Sequence, residues 1–292
     1  MSSLPNLFLI GGMKCGSTTL YADLAQHPEI HAPAVKEPTF LERSELDDAG
    51  VAALYRELHR GGEGAAYRMD GSTRYSMRAQ IPGAASRLRA ICGPDCRIVY
   101  LVREPVARIV SQYRHAFSTG AIACGLAEAL EREPALLDNS RYASQLAPWL
   151  EAFGEERIFV LGFEAYTADR RAACAAVLDF LGLRPLPADA DLSGARNVSE
   201  GRRNPPKWFS TLSRSPFYKN RIAPLLPSDR LSGLKRVLYR KAPQARVDLG
   251  PELKARIRKE LEDEIKALRP HLRFPANRSE VGWMNLESRD EG

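Results

Sequence analysis

Three short, almost continuously apolar runs punctuate the first half of the chain, at residues 6–11, 97–102 and 157–163. Such runs fit parallel strands covered on both faces, and residues 67–70 form a shorter fourth. Around them, apolar positions recur at helical spacing over 18–26, 55–58, 81–91, 105–117, 126–131, 142–153 and 169–181. Strands alternating with helices predict the α/β class: a doubly wound parallel sheet flanked by helices and joined by right-handed crossovers. Ligands of such sheets bind beyond the carboxyl ends of the strands, where Lys14 and Arg103 both fall.

The pattern changes after Gly182. Prolines 185, 187, 205, 206, 216, 224 and 227 break the chain into loops and short segments. A last helix then runs from about 251 to 268, with Leu253, Ile257, Leu261 and Ile265 four residues apart. The expectation is one domain over 1–292, with a core at about 5–185 and a helical, loop-rich elaboration at about 186–285.

A chain of 292 residues buries roughly three-quarters of its unfolded surface and needs no covalent staples. Five scattered cysteines fit a reducing compartment, and Cys92 and Cys96 lack the second ligand pair of a zinc site. No run approaches the ~20 apolar residues of a membrane helix, and the N-terminus has no signal-like apolar region. A cytoplasmic protein without a transmembrane segment is expected. The net charge of +6 is uneven: residues 201–250 hold twelve Lys and Arg against Asp229 and Asp248. That stretch implies an anionic partner, such as a nucleotide or an acidic acceptor.

The chemistry begins at Phe8-Leu-Ile-Gly-Gly-Met-Lys-Cys-Gly-Ser-Thr-Thr-Leu20. An apolar run breaks into a glycine-rich turn and then a helix, so backbone N–H groups, Lys14 and the hydroxyls of Ser17, Thr18 and Thr19 gather at a helix N-terminus. An anion is held there by N–H donors and by the helix dipole. The spacing is not that of a Walker loop, whose lysine directly follows the last glycine; here Lys14 precedes Gly16 by two residues. A second anion site is expected at Val102-Arg103-Glu-Pro-Val-Ala-Arg-Ile-Val-Ser111. Arg103 ends a strand, Pro105 opens a helix, and Ser111 lies two turns on. An arginine fork with a hydroxyl suits a phosphate, each charged hydrogen bond contributing roughly 1.5–3 kcal/mol. A third basic loop is Asn197-Val-Ser-Glu-Gly-Arg-Arg-Asn-Pro-Pro206, with Gly201, Arg202 and Arg203.

Together these segments resemble sulfotransferases that use 3′-phosphoadenylyl sulfate (PAPS), and the heparan-sulfate-type enzymes in particular. The first resembles their 5′-phosphosulfate loop, the second their 3′-phosphate motif, and the third their K-G-R-x-x-P loop, with Glu200 in place of its lysine. Tyr142-Ala-Ser-Gln-Leu-Ala-Pro-Trp-Leu-Glu-Ala-Phe153 is similar to a helix of that family. The resemblance spans about 7–283 and implies a P-loop-like fold and a metal-free transfer. Lys14, Cys15, Gly16, Ser17, Thr18 and Thr19 would surround the phosphosulfate, and Arg103, Ser111, Gly201, Arg202 and Arg203 the 3′-phosphate. Glu37, in Lys36-Glu-Pro-Thr-Phe40, takes the place of the family's general base, and His115 matches a histidine on a family helix. A carbohydrate or small natural product would be the acceptor, with no nucleic-acid partner.

Two features depart from the family. Where it carries E-K-[ST]-P-x-Y, this chain has Asp70-Gly-Ser-Thr-Arg-Tyr75, so a second lysine is missing and Arg74 is the nearest sequence substitute. Gly12, Met13 and Leu20 replace the Tyr-Pro and Trp typical of the steroid and phenol enzymes. Two other readings compete. One is an ATP-dependent phosphotransferase, which would want a Walker lysine and magnesium ligands. The other is a polyanion-binding protein that uses residues 201–250.

Overall fold

The computed structural model describes residues 3–194, 203–204, 240–241, 245, 247, 249–275 and 282–284. Its centre is a six-stranded sheet in the order β2-β3-β1-β4-β5-β8, every neighbouring pair parallel. The strands are β1 (Leu7–Gly11), β2 (Ile30–His31), β3 (Tyr67–Asp70), β4 (Arg97–Val102), β5 (Ile158–Gly162) and β8 (Leu272–Phe274). A separate two-residue ladder joins β6 (Arg203–Asn204) to β7 (Arg240–Lys241). The helices are α1 (Ser17–Leu24), α2 (Asp48–Leu58), α3 (Ala84–Cys92), α4 (Pro105–Thr119), α5 (Leu126–Arg132), α6 (Ala135–Asp138), α7 (Tyr142–Phe153), α8 (Phe163–Ala168), α9 (Arg170–Phe180), α10 (Pro251–Glu260) and α11 (Glu262–Leu268).

Both faces of the sheet are covered, which is why the strands read as unbroken apolar runs. Phe8, Ile10, Ile98, Tyr100, Ile158 and Val160 point into one core with α3, α4, α7, α10 and α11. Leu7, Leu9, Val99, Leu101, Phe159 and Leu161 point into the other, with α1 and α9. The two-residue alternation of a strand thus feeds two cores at once.

The C-terminal helix predicted over 251–268 is two helices. The chain breaks at Leu261, whose φ of −103° and ψ of 5° leave the helical well. Glu262, Asp263 and Glu264 open α11, where acids suit the positive end of the helix dipole. The break keeps Ile257, Leu261, Ile265 and Leu268 all buried. This C-terminal part is no appendage, because β8 completes the sheet beside β5. Among the described residues, no helix is long and apolar enough to cross a membrane.

Candidate active site

The loop from β1 to α1 is shaped by two glycines and one strained lysine. Gly11 has a φ of +118°, and a Cβ there would stand 2.3 Å from the Leu101 carbonyl oxygen. Gly16, with a φ of +83°, would drive a Cβ to 2.9 Å from the Phe163 ring. Lys14 itself sits at φ +73°, a conformation that L side chains adopt only where the surroundings impose it. Gly16 then caps α1 with no side-chain hydrogen bond, and its carbonyl accepts from the Thr19 and Leu20 N–H groups at 3.0 and 3.1 Å.

The Cys15 side chain turns away from that opening. It is fully buried, its Sγ 3.9 Å from the Tyr142 hydroxyl, and burial pushes its thiol up to about 12. Only its backbone is available to a ligand.

Arg103 reaches the same loop from β4. Its Nη1 donates to the Lys14 carbonyl at 3.0 Å, and its guanidinium lies 4.6 Å above the Phe163 ring. Its backbone is pinned by the Tyr142 hydroxyl, which accepts from the Arg103 N–H at 3.3 Å and donates to its carbonyl at 2.9 Å. The Nε of Arg103 is buried and has no hydrogen-bond acceptor among the described residues. Ser111 is half-buried two turns into α4, and His115 follows one turn later on the same face.

Glu37 comes to the loop through a strap between β2 and α2. The Gly71 N–H donates to the Lys36 carbonyl at 2.9 Å, and the Thr39 N–H to the Ser72 hydroxyl at 3.2 Å. The buried Asp70 carboxylate accepts from the Ser72 N–H at 2.8 Å and from the Tyr55 hydroxyl at 2.9 Å, which fixes that turn. Thr39, at φ +53°, completes the bend. The Glu37 side chain is left 38% exposed.

The sequence reading missed the importance of Lys36. Its ammonium donates to Glu37 Oε1 at 2.5 Å, to the Gly71 carbonyl at 3.0 Å and to the Ser17 hydroxyl at 3.2 Å. It therefore joins the start of α1 to the carboxylate. A Cβ on Gly71 would stand 3.0 Å from Lys36 Cγ, so the stem of Lys36 fills the space that a side chain at position 71 would take. Arg74 does not supply the missing charge: its Nε donates to Glu42 at 2.9 Å. The signal available in sequence was the Lys-Glu-Pro run itself, but only the strap shows where its lysine points.

The structure thus brings together Lys14, Gly16, Ser17, Arg103, Lys36 and Glu37 at the carboxyl ends of β1, β3 and β4, and Thr18 and Thr19 follow in α1. Gly201 and Arg202 lie outside the described residues. Arg203 lies in β6, paired with Lys241. Most of the basic stretch 201–250 is likewise outside the described residues.

Residues 4–192 match a family described as "Sulfotransferase domain". The chain belongs to that family. Among similar proteins, mouse heparan sulfate glucosamine 3-O-sulfotransferase 3B1 is 29% identical over 196 residues, which are 64% of this chain and 48% of the relative. Mouse carbohydrate sulfotransferase 15 is 24% identical over 270 residues, covering 69% and 48%. The sulfotransferase-domain chain therefore spans about half the length of these curated relatives. A sulfotransferase structure from Alicyclobacillus acidocaldarius superposes with a TM-score of 0.62 over 91% of this chain and 94% of that one, at 21% identity. That likeness supports the P-loop-like α/β fold expected from the strand pattern.

Proposed function

We propose that this chain moves a sulfuryl group from PAPS to a hydroxyl or amine of a carbohydrate or natural-product acceptor. The observation that carries the reading is the convergence of the Lys14 loop, Arg103 and the Lys36–Glu37 pair on adjacent strand ends. Two separate cationic positions suit a donor with two separate anionic groups. The buried Nε of Arg103, without an acceptor among the described residues, is a donor of the kind such a nucleotide would satisfy, and the start of α1 offers its positive dipole end.

PAPS supplies the sulfuryl group on a bridging oxygen whose phosphate is the leaving group. Lys14, the backbone of Cys15 and Gly16, and the hydroxyls of Ser17, Thr18 and Thr19 hold the phosphosulfate end, and Lys14 stabilises the departing charge. Arg103 and Ser111, with Gly201, Arg202 and Arg203, hold the 3′-phosphate. Glu37 takes the acceptor's proton as the acceptor bonds to sulfur and the bond from sulfur to the bridging oxygen breaks. Lys36 aims that carboxylate, and His115 assists proton transfer. Positioning and charge stabilisation supply the rate. The relatives, a heparan sulfate and a carbohydrate sulfotransferase, favour a carbohydrate acceptor.

The test is calorimetric binding of 3′-phosphoadenosine 5′-phosphate (PAP) against ADP, without magnesium, on wild type and Arg103→Ala. Tight binding of PAP alone, lost in the variant, supports the reading. Magnesium-dependent binding of ADP or ATP with no preference for PAP replaces it with a phosphotransferase. Polyanion binding that is indifferent to Arg103 and to Glu37→Gln replaces it with a non-catalytic binder.

A further inference from the structure

Arg108 lies one turn into α4 and is completely buried. Its Nε donates to the Ser140 hydroxyl at 2.5 Å, its Nη1 to Gln112 Oε1 at 2.5 Å, and its Nη2 to the Leu136 carbonyl. All three acceptors are neutral. Among the described residues no carboxylate accepts from this guanidinium, whereas Arg170 meets the buried Asp23 carboxylate at 2.5 Å. Burial lowers the pKa of Arg108, and the full charge nearest in effect is Arg103, of the same sign. A buried cation without a counter-charge is costly, and folds ordinarily pair it.

The place of this charge gives it a use. Arg108 Cδ is 3.4 Å from where a Cβ on Gly12 would stand, so its stem lies directly beneath the loop that carries Lys14. The Tyr142 ring packs against the same point, at 2.9 Å, and its hydroxyl holds Arg103. Arg103 and Arg108 thus both bear on the loop that leads into α1.

We propose that Arg108 is a standing charge whose counter-ion is the bound nucleotide. It never touches the ligand; it holds the loop electropositive from below and acts as a positioning and field residue. This rests on the reading that an anionic nucleotide occupies the loop. Because the charge is out of water, salt screens it weakly, and its effect on an anion bound at the loop is correspondingly large.

The experiment compares Arg108→Met, which removes the charge but keeps the length, with Arg108→Lys, which keeps the charge but not the fork. PAP affinity is measured by calorimetry at low and at high salt, and the unfolding midpoint is measured without ligand. The expected result is opposite signs. Arg108→Met binds PAP about tenfold more weakly or worse, the deficit persists at high salt, and the ligand-free midpoint is unchanged or raised. Arg108→Lys loses midpoint yet keeps PAP affinity within about threefold.

A ligand-free midpoint that falls in Arg108→Met while PAP affinity stays within about threefold of wild type overturns the proposal, leaving Arg108 as a staple for residues 136–140. If Arg108→Met does not fold, Arg108→Lys decides: retained affinity at reduced stability supports the charge, and loss of both overturns it. Failure of wild type to bind PAP overturns the donor reading itself, and this inference with it.

Discussion

Arg103 Nη1 donates to the carbonyl oxygen of Lys14 at 3.0 Å, joining residues 89 positions apart in sequence. Lys14 makes this bond from a backbone at φ +73°. One guanidinium therefore shapes the loop with Nη1, while its buried Nε has no acceptor among the described residues. Arg103→Ala should weaken PAP binding about 10–100-fold, the loss of one charged hydrogen bond. Arg103→Lys should fall between, since an ammonium keeps the charge but cannot fork. Calorimetry reads both, and an unchanged affinity in Arg103→Ala removes Arg103 from the site.

Lys36 and Gly71 offer a sharper test of the acceptor side. Lys36→Ala should lower kcat by about tenfold or more while PAP affinity changes little, because the ammonium serves Glu37 and Ser17 rather than the nucleotide's far phosphate. Gly71 has no positive φ, and the stem of Lys36 is one of the two things that crowd its Cβ position, beside Tyr21. Moving the charge, in Lys36→Ala with Gly71→Lys, should recover part of the lost rate. A double variant no better than Lys36→Ala would show that the chain needs the lysine on its own side of the strap.

Glu37→Gln separates base from binder. The variant should lose about 10²–10⁴-fold in turnover, the usual contribution of a general base, with PAP affinity intact. Full activity in Glu37→Gln would move the base elsewhere, with His115 the next residue to substitute.

Much of this site is legible in the chain. Residues 6–11 and 97–102 read as buried parallel strands because both faces are covered, and their ends carry Lys14 and Arg103 as expected. Tyr142–Phe153 is a helix with the predicted bounds. What escaped the reading depends on distance in sequence. Strands β2 and β8 have two and three residues, too few to show a period. Lys36 and Gly71 are partners through the strap, and nothing local couples them. Arg108 reads as one cation among many on a helix, and its neutral acceptors Ser140 and Leu136 come from a later segment.

Gly11 is the glycine whose loss should cost most. A Cβ there would overlap the backbone of β4, which cannot yield as a side-chain end can. Gly11→Ala should destabilise the fold by about 3 kcal/mol or more, read as a lower midpoint in urea at an unchanged slope. Gly61→Ala is the contrast. Its φ is also positive, at +87°, but nothing lies within 4 Å, so only backbone strain of about 1 kcal/mol should appear.

Asp70 and His59 set opposing pH dependences. Burial raises the Asp70 carboxyl from an ordinary 3.8 to about 6. Raised in the folded state, it contributes stability that is complete below pH 3.8 and lost as pH climbs through 6, roughly 3 kcal/mol in all. His59 moves the other way: burial first, then His31 and Arg68, lower it from 6.5 to about 4. Its ring nitrogens are buried and have no partner among the described residues, and its ring centroid lies 5.6 Å from that of His31. Stability from His59 is complete above pH 6.5 and falls away toward pH 4, again by roughly 3 kcal/mol. Relative to wild type, Asp70→Asn should therefore gain stability as pH rises from 4 to 6, and His59→Gln should lose it over the same interval. Urea unfolding at half-unit pH steps measures both differences. Parallel curves for variant and wild type would mean that the substituted group titrates alike in the folded and unfolded chain.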